Sequence, residues 1–528
     1  MALALAQVRG RLNRAPLILL ALAALVTAAV LMPPVYLVWR ATESSAIWEH
    51  LSDESTLRAL GRTLLLTASV TATCIALAVP LAWLTGRTDL PLRRFWTVLL
   101  ALPLAVPSFV GGFVMVSALG PGGLVQDLLA PIGVDRLPSI FGFWGAWITL
   151  SVVSYPYIFL QVRASLSHSD PSLEEAARGL GNGSWRTFWR VNLPQMRPPI
   201  AAGALLVALY SISEFGAVSM LRYDTLTPLV YLQYTTSFDR AAAAVLGLPL
   251  IALAVLILGL EGMTRGRARY YGGAQPRPAR TMALGSWRWP AFAFCALVAL
   301  VGVGLPVAVI LYWLISGLSA EGTTSFLAEA AVNSTLAAAL AALAAATACL
   351  PIAYLSARHA GRLAGFFEKA SYAGQSIPAI TIALALVFFA ATYATPLQRT
   401  LGLLVFAYTV RFLPEALGAI RGALLQLNPN TEEAARSLGA GPLKTFARIT
   451  APQALPGVFA GMLLVFLTAI KELPITILLS PIGFDTLATE IWSATSEAFF
   501  TRAALPSLTL LLISAFAVLI MLRRERLT

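Results

Sequence analysis

The sequence predicts an all-α polytopic membrane protein of about twelve transmembrane helices, arranged as two homologous six-helix halves. Three observations predict it: an excess of apolar residues, apolar runs recurring at membrane-spanning length, and an internal repeat at constant offset. Of 528 residues, 58% are hydrophobic and only 12% charged, whereas a soluble domain carries about a quarter charged residues. A folded core has no room for that excess, so much of the surface faces lipid. Apolar runs of about 20 residues recur along the chain, enough to cross a hydrocarbon layer about 30 Å thick.

The expected spans are 17–39, 62–85, 96–118, 140–162, 199–221 and 241–262, then 291–316, 332–355, 371–392, 401–418, 456–480 and 503–522. Arg9, Arg11 and Arg14 precede the first span and give it the outline of a signal peptide. Its length, the late Pro33-Pro34 and the lack of a small-x-small cleavage site make it an uncleaved helix instead. The net charge of +12 raises the possibility of nucleic acid, but the bases sit in short loops between apolar runs. With the N-terminus inside, every basic cluster falls on one side. Arg87, Arg93 and Arg94 follow span two; Arg163, Arg178, Arg186, Arg190 and Arg197 follow span four; Arg265, Arg267 and Arg269 follow span six. Arg358 and Arg362, then Arg421, Arg436, Lys444 and Arg448, then Arg523, Arg524 and Arg526 continue the pattern. The opposite loops hold Glu43, Glu49, Asp53, Glu54, Asp127 and Asp135. This is the positive-inside distribution of a chain with both termini cytoplasmic. Cys74, Cys295 and Cys349 lie within apolar runs without metal-ligand spacing, and His50, His168 and His359 are scattered. Neither a disulfide framework nor a zinc site is expected.

The repeat is the strongest sequence signal. Residues 174–181 read EEAARGLG and residues 432–439 read EEAARSLG, an offset of 258. The same offset pairs Pro156 with Pro414, Arg163 with Arg421, Pro194 with Pro452, Gly203 with Gly461 and Glu214 with Glu472. Earlier in each half the offset becomes 271, pairing Pro80 with Pro351, Arg87 with Arg358 and Pro107 with Pro378. Chance similarity between apolar helices does not align charged loop residues. The expected division is a first half at 1–263, a polar and mobile cytoplasmic linker at 264–290 and a second half at 291–528. Six spans return the chain to its starting side, so the two copies form a parallel repeat about an axis along the membrane normal.

Each copy carries a cytoplasmic loop of some 35 residues between its fourth and fifth spans, about 163–198 and 421–456. Asp170-Pro171 and Asn428-Pro429 are helix starts, an Asx cap followed by proline at the first position. Glu174-Glu175 and Glu432-Glu433 follow in the first turns, where carboxylates suit the helix dipole. Gly181 and Gly439 end that helix. A second short helix is expected at Trp185–Arg190 and Leu443–Arg448, ending at Leu193-Pro194 and Ala451-Pro452. A charged, compact helix pair of this kind is a docking element for a soluble partner.

The pattern E-A-A-x3-G-x9-I-x-L-P resembles the signature loop of ABC importer permeases, with a type I fold. Glu175-Ala176-Ala177, Gly181, Val191, Leu193 and Pro194 match it in the first copy. Glu433-Ala434-Ala435, Gly439, Ile449, Ala451 and Pro452 match it in the second. Val191 and Ala451 are mild departures. The resemblance implies that Glu175, Gly181, Glu433 and Gly439 dock the short helix in a groove of an ATPase subunit; the bland alternative is a loop that merely terminates two helices. The chain lacks a P-loop, since the stretch from Gly439 to Lys444-Thr445 has Leu443 where the second glycine belongs. No cofactor is then expected on this chain, and ATP-Mg belongs on partner subunits. The implied partners are two copies of an ABC ATPase, an extracytoplasmic (periplasmic) substrate-binding protein and the lipid bilayer of the bacterial inner membrane. Nucleic acid is not among them, and a homodimer is not required.

For the cargo, Ser213-Glu214-Phe215-Gly216-Ala217-Val218, Leu221-Arg222-Tyr223-Asp224-Thr225, Lys471-Glu472-Leu473-Pro474-Ile475-Thr476 and Gly483-Phe484-Asp485-Thr486-Leu487-Ala488 resemble the ferric-iron branch, whose permeases are fused twelve-span chains. Independently, Glu214 and Glu472 sit at matched positions in spans five and eleven, and a carboxylate at membrane depth is a functional hypothesis by default. They are candidate gate or pathway residues and transient ligands of a hard cation, with no static metal site. The alternative is that each pairs locally and locks a helix. Tyr155, Tyr223, Asp224 and Asp485 are weaker candidates, the last three compatible with simple loop turns. Two broader readings are an ABC permease for thiamine, sulfate, a phosphonate or a polyamine, and a gradient-driven secondary transporter, against which the paired loops argue.

Overall fold

Proline decides where the predicted spans bend, and those bends place the site. The computed structural model describes residues 16–133, 136–168, 176–177, 179–236, 240–265, 282–317, 323–359 and 361–524. Among them, eleven helices are long and apolar enough to cross a membrane, or twelve if one bent pair is counted as a span. That matches the sequence expectation of about twelve.

Two predicted spans are not straight. In the region 96–118, the helix Arg93–Ala101 passes into a tight turn at Leu102–Ala105, and a new helix runs from Ser108 to Leu119. In the region 371–392, Arg362–Ser376 and Ala379–Tyr393 meet at 98°. The physical reason is the same in both. Pro107 and Pro378, matched by the repeat, take extended backbone (ψ 145° and 138°) and immediately precede the new helices. A proline ring excludes helical geometry for its predecessor and donates no hydrogen bond. Spans five and eleven also end earlier than the sequence suggests, at Ser213 and Ala469, with short helices Gly216–Met220 and Pro474–Leu479 following.

The described residues form two compact units that do not follow the two sequence halves. One draws on Met1–Ile47, Arg240–Leu248 and Thr324–Thr489; the other on Trp48–Asp239, Pro249–Thr323 and Glu490–Thr528. The first unit therefore joins the opening helix Leu17–Thr42 to spans eight to eleven, with Tyr36 edge-on to Phe389 at 5.5 Å between ring centres. The second joins spans two to five to span seven and the last helix, with Trp96 edge-on to Phe292 at 5.0 Å.

Within each unit, the fourth and fifth spans of a repeat cross at a glycine. A Cβ on Gly203 would lie 2.8 Å from the Ile158 Cα, and one on Gly461 would lie 3.1 Å from the Ala416 Cα. Only glycine permits backbones to meet this closely.

The linker is partly tied down. Met282 donates to the Arg87 carbonyl at 2.8 Å, Asp89 donates to the Met282 carbonyl at 3.0 Å, and Leu284 donates to the Asp89 carboxylate at 2.8 Å. Its last residues are thus anchored to the end of span two rather than mobile, because they satisfy backbone groups that a helix end leaves open. Residues 266–281 of the linker lie outside the described residues.

Candidate functional site

The two loops between the fourth and fifth spans repeat the same construction. In the second copy, the Asn428 side chain accepts from the Asn430 N–H at 3.0 Å and caps the helix Pro429–Ser437. Gly439 takes φ +85°, where it donates to Arg436, and Ala440 donates back to Ala435 at 3.0 Å. In the first copy Gly181 takes φ +80° and Asn182 donates back to Ala177 at 3.2 Å. Both are glycine-terminated Schellman ends.

The second short helix does not stop at the prolines. Ser184–Thr187 continues through a wide turn at Phe188–Asn192 directly into Leu193–Ser213, and Pro442–Thr445 continues through Phe446–Thr450 into Ala451–Ala469. The expected ends at Leu193-Pro194 and Ala451-Pro452 are therefore corrected. A π-type turn inserts the residue that lets a helix pass a proline without a clash or a lost bond. The second short helix of each loop is consequently continuous with the span behind it.

Glu432, the residue before the EAA triplet, is buried. Its carboxylate receives the Arg358 guanidinium at 3.0 Å, the Thr450 hydroxyl at 3.1 Å and the Tyr354 hydroxyl at 3.3 Å. It therefore latches the loop helix to the end of span eight and to the start of span eleven. His359 packs beside it, 6.1 Å from the Tyr354 ring; burial and Arg436 hold its imidazole below the usual value, with Glu432 opposing. Glu433 and Ala434 are exposed and Ala435 is buried. Ala176 is exposed and Ala177 buried in the first copy, while Glu174 and Glu175 lie outside the described residues. The repeat pairs Arg358 with Arg87, which is 4% exposed, and Tyr354 with Trp83; Trp83 meets Phe188 as Tyr354 meets Phe446, both edge-on at 5.6 and 5.5 Å.

Sequence reasoning passed over Leu180 and Leu438. They precede the two glycines and are 84% and 89% exposed, and Leu443 is 80% exposed. Large apolar side chains on a rigid, otherwise polar tip mark a contact surface. Their matched position in both copies was the available signal.

Glu214 and Glu472 are placed alike. Glu214 accepts the Ala217 N–H at 2.9 Å, with the Ser108 and Tyr210 hydroxyls near enough to act on it electrostatically. Ser108 is available because span three restarts there after Pro107. Glu472 accepts the Ile475 N–H at 3.4 Å, and its carbonyl accepts from Thr476 at 2.6 Å. Each carboxylate thus holds the start of the short helix after its span, which is the helix-locking alternative in geometric form.

A third acid, Glu415, escaped the sequence reading. Its carboxylate receives the Thr468 hydroxyl at 2.8 Å, with Lys471, Arg411 and Glu472 near enough to act on it electrostatically. Tyr155 is fully buried and donates to the Leu100 carbonyl at 2.8 Å, tying span four to the broken span three. Asp224 is exposed and pairs with Arg62 at 3.0 Å; Asp485 is exposed and its carbonyl accepts from Asn333 at 3.0 Å. The following leucines repeat one another: Leu226 donates to Thr63 and Leu487 to Ser334, at 3.0 and 2.8 Å. These aspartates stand in matched loop turns.

The chain is a duplicated helical membrane protein with an exposed, glycine-ended loop in each copy. The chain belongs to the family of binding-protein-dependent transport system inner membrane components, whose family model matches residues 78–270 and 349–526, once in each copy. It is thus an ABC importer permease. It is 33% identical over 517 residues to the Fe(3+)-transport system permease protein FbpB 2 of Haemophilus influenzae, spanning 96% of this chain and 98% of that one. It is 32% identical over 206 residues to the molybdenum transport system permease protein ModB of Escherichia coli, spanning 37% of this chain and 88% of that one. It is 30% identical over 185 residues to a probable sulfate transport system permease protein of Chlorokybus atmophyticus, spanning 34% of this chain and 64% of that one.

Proposed function

We propose that this chain forms the complete membrane pathway of a ferric-iron importer of the bacterial inner membrane, with both termini cytoplasmic. The observation that carries the substrate is the similarity to an Fe(3+) permease along nearly the whole of both chains. The sulfate and molybdenum relatives align with only about a third of it, and they favour an oxyanion permease as the second reading.

In this proposal the exposed faces around Glu433, Leu438 and Leu443, and their first-copy equivalents, dock two copies of an ABC ATPase. Gly181 and Gly439 fix the tips. Because the second short helix of each loop continues without a break into span five or eleven, ATPase closure moves those spans as levers. At their far ends Glu214 and Glu472 each tie the span to the short helix that follows it, so in each copy the lever's motion passes to that helix. An extracytoplasmic binding protein delivers the iron, and ATP-Mg stays on the partner subunits.

The test is Glu175→Lys together with Glu433→Lys. The double variant is expected to fold and insert but to lose ATPase association and uptake in reconstituted vesicles, since reversed charge at a docked rim is repulsive. Normal ATP-coupled transport by that variant sinks the docking assignment. Radiolabelled iron that is neither transported nor able to compete sinks the iron reading.

A further inference from the structure

The second unit contains a cavity of about 1150 Å³ that no part of the coupling scheme uses. It lies at the start of the helix Glu54–Arg87, lined there by Arg58 and Arg62, whereas the docking loop begins beside the helix's other end. At 1.5 Å per residue, Arg62 and Arg87 are separated by about 38 Å along that helix. The cavity therefore opens on the side from which an importer receives cargo.

Its lining is basic and aromatic. Three arginines face it, Arg58, Arg62 and Arg222, against one acid, Asp224. Two of the three are engaged: Arg62 pairs with Asp224, and Arg58 with Glu54. Arg222 differs. Its guanidinium lies over the Phe141 ring, 4.9 Å from the centroid, and no carboxylate pairs with it among the described residues. Stacking occupies the face of a guanidinium and leaves its N–H edge available. Its backbone sits at φ +52°, an uncommon conformation for a side-chain-bearing residue, held by bonds from Arg222 to Ser219 and from Tyr223 to Val218. Strain maintained at a cavity wall is a recurrent mark of a binding position.

A bare trivalent cation is repelled by such a wall, while an anion with planar oxygen pairs suits it. We propose that this cavity is an entry site for anionic cargo, taking iron as a complex with carboxylate or oxyanion ligands. This rests on the ferric-iron reading for the metal, but the anion chemistry stands on the cavity alone. The volume is that of a small-molecule site rather than a flat protein contact, which favours a small chelate over an acidic segment of the binding protein.

The test uses the purified full-length chain in lipid nanodiscs, titrated with citrate, inorganic phosphate, sulfate and ferric citrate. Trp313 and Trp492 line the cavity and report by fluorescence, with Trp492→Phe removing part of the signal. Saturable binding is expected, and Arg58→Gln with Arg222→Gln is expected to weaken it about ten-fold or more, as loss of charge-assisted bonds requires. Arg222→Lys, which keeps the charge, restores part of the affinity and guards against a folding defect. Absent binding, or binding unchanged in the double variant, overturns the proposal. So does a variant that binds anions normally but no longer associates with the binding protein. In vesicles carrying ATPase and binding protein, iron uptake with an unaltered KM in the variant rejects the cavity and leaves the iron reading intact. Anion binding lost in the variant, with sulfate or molybdate transported instead of iron, keeps the cavity and rejects the iron reading.

Discussion

The two repeats agree at the cytoplasmic tip and disagree in the membrane. At the tip, left-handed glycines, aromatic edge contacts and the wide turn into the following span recur residue for residue. Deeper in, the second copy carries Arg411, Glu415, Thr468 and Lys471, where the first carries Val153, Tyr157, Tyr210 and Ser213. Tyr157 and Tyr210 pack at 5.8 Å between ring centres, whereas Glu415 is bonded to Thr468 among charges. The difference teaches where duplication left freedom. On the proposed reading, two tips that face the same kind of partner stay alike, while a pathway through a single fused chain has no symmetry to preserve.

The largest expected effect comes from breaking the latch of the second copy's tip. Glu432→Ala leaves Arg358 buried without its carboxylate, and removing one partner of a buried ion pair costs about 3–5 kcal/mol. Released from span eight, the loop helix is expected to become protease-sensitive between residues 429 and 441, and ATP-coupled uptake is expected to fail. Glu174→Ala sharpens the comparison: an equal loss there shows that Arg87 is the first copy's latch, and a silent substitution breaks the equivalence. Tyr354→Phe removes one hydroxyl bond and is worth about 1 kcal/mol.

The membrane asymmetry is tested by transplanting one copy's residues into the other. Glu415→Tyr, Thr468→Tyr and Lys471→Ser together replace charge with the first copy's apolar pair. Because a buried ionic group exchanged for well-packed side chains is often neutral in stability, the triple variant is expected to express and to melt within about 2 kcal/mol of the parent. Its uptake is expected to fall sharply. Full uptake would reduce the charged set to packing, whereas Lys471→Met alone, which takes one positive charge from beside Glu415 and leaves Thr468 and Arg411, is expected to be the less stable protein.

How much of this was legible in the sequence depends on the length scale of the signal. Apolar runs report spans, and matched charged loops report duplication, so span count and the two-copy organisation were readable without coordinates. The bend at Pro378 was not, since an apolar run looks the same whether the helix passes straight or breaks at 98°. Glu432 was read as a dipole residue of the first turn; only the fold brings Arg358 to it from 74 residues away. Glu415 went unseen because it has no acidic counterpart in the first copy, and the search followed matched positions. Arg222 was quoted for its motif, but neither its left-handed backbone nor the Phe141 ring beneath it follows from the string.

A further comparison probes how closely the fourth and fifth spans pack within each copy. Gly203→Ala would place a methyl 2.8 Å from the Ile158 Cα, a backbone atom that cannot swing aside. Gly461→Ala would place one 3.1 Å from the Ala416 Cα, with the Ala416 carbonyl oxygen at 3.2 Å. Overpacking of this kind costs about 1–3 kcal/mol, so both are destabilising, with Gly203→Ala the worse. Thermal melts of the two variants in the same detergent check the order. The consequence for transport follows from the lever: spans four and five must separate slightly to admit the methyl, tilting the helix whose end holds Glu214. Gly203→Ala is therefore expected to lower uptake by more than its loss of stability explains. Equal melting temperatures for the two variants would mean that the copies differ in charge but not in how tightly their helices cross.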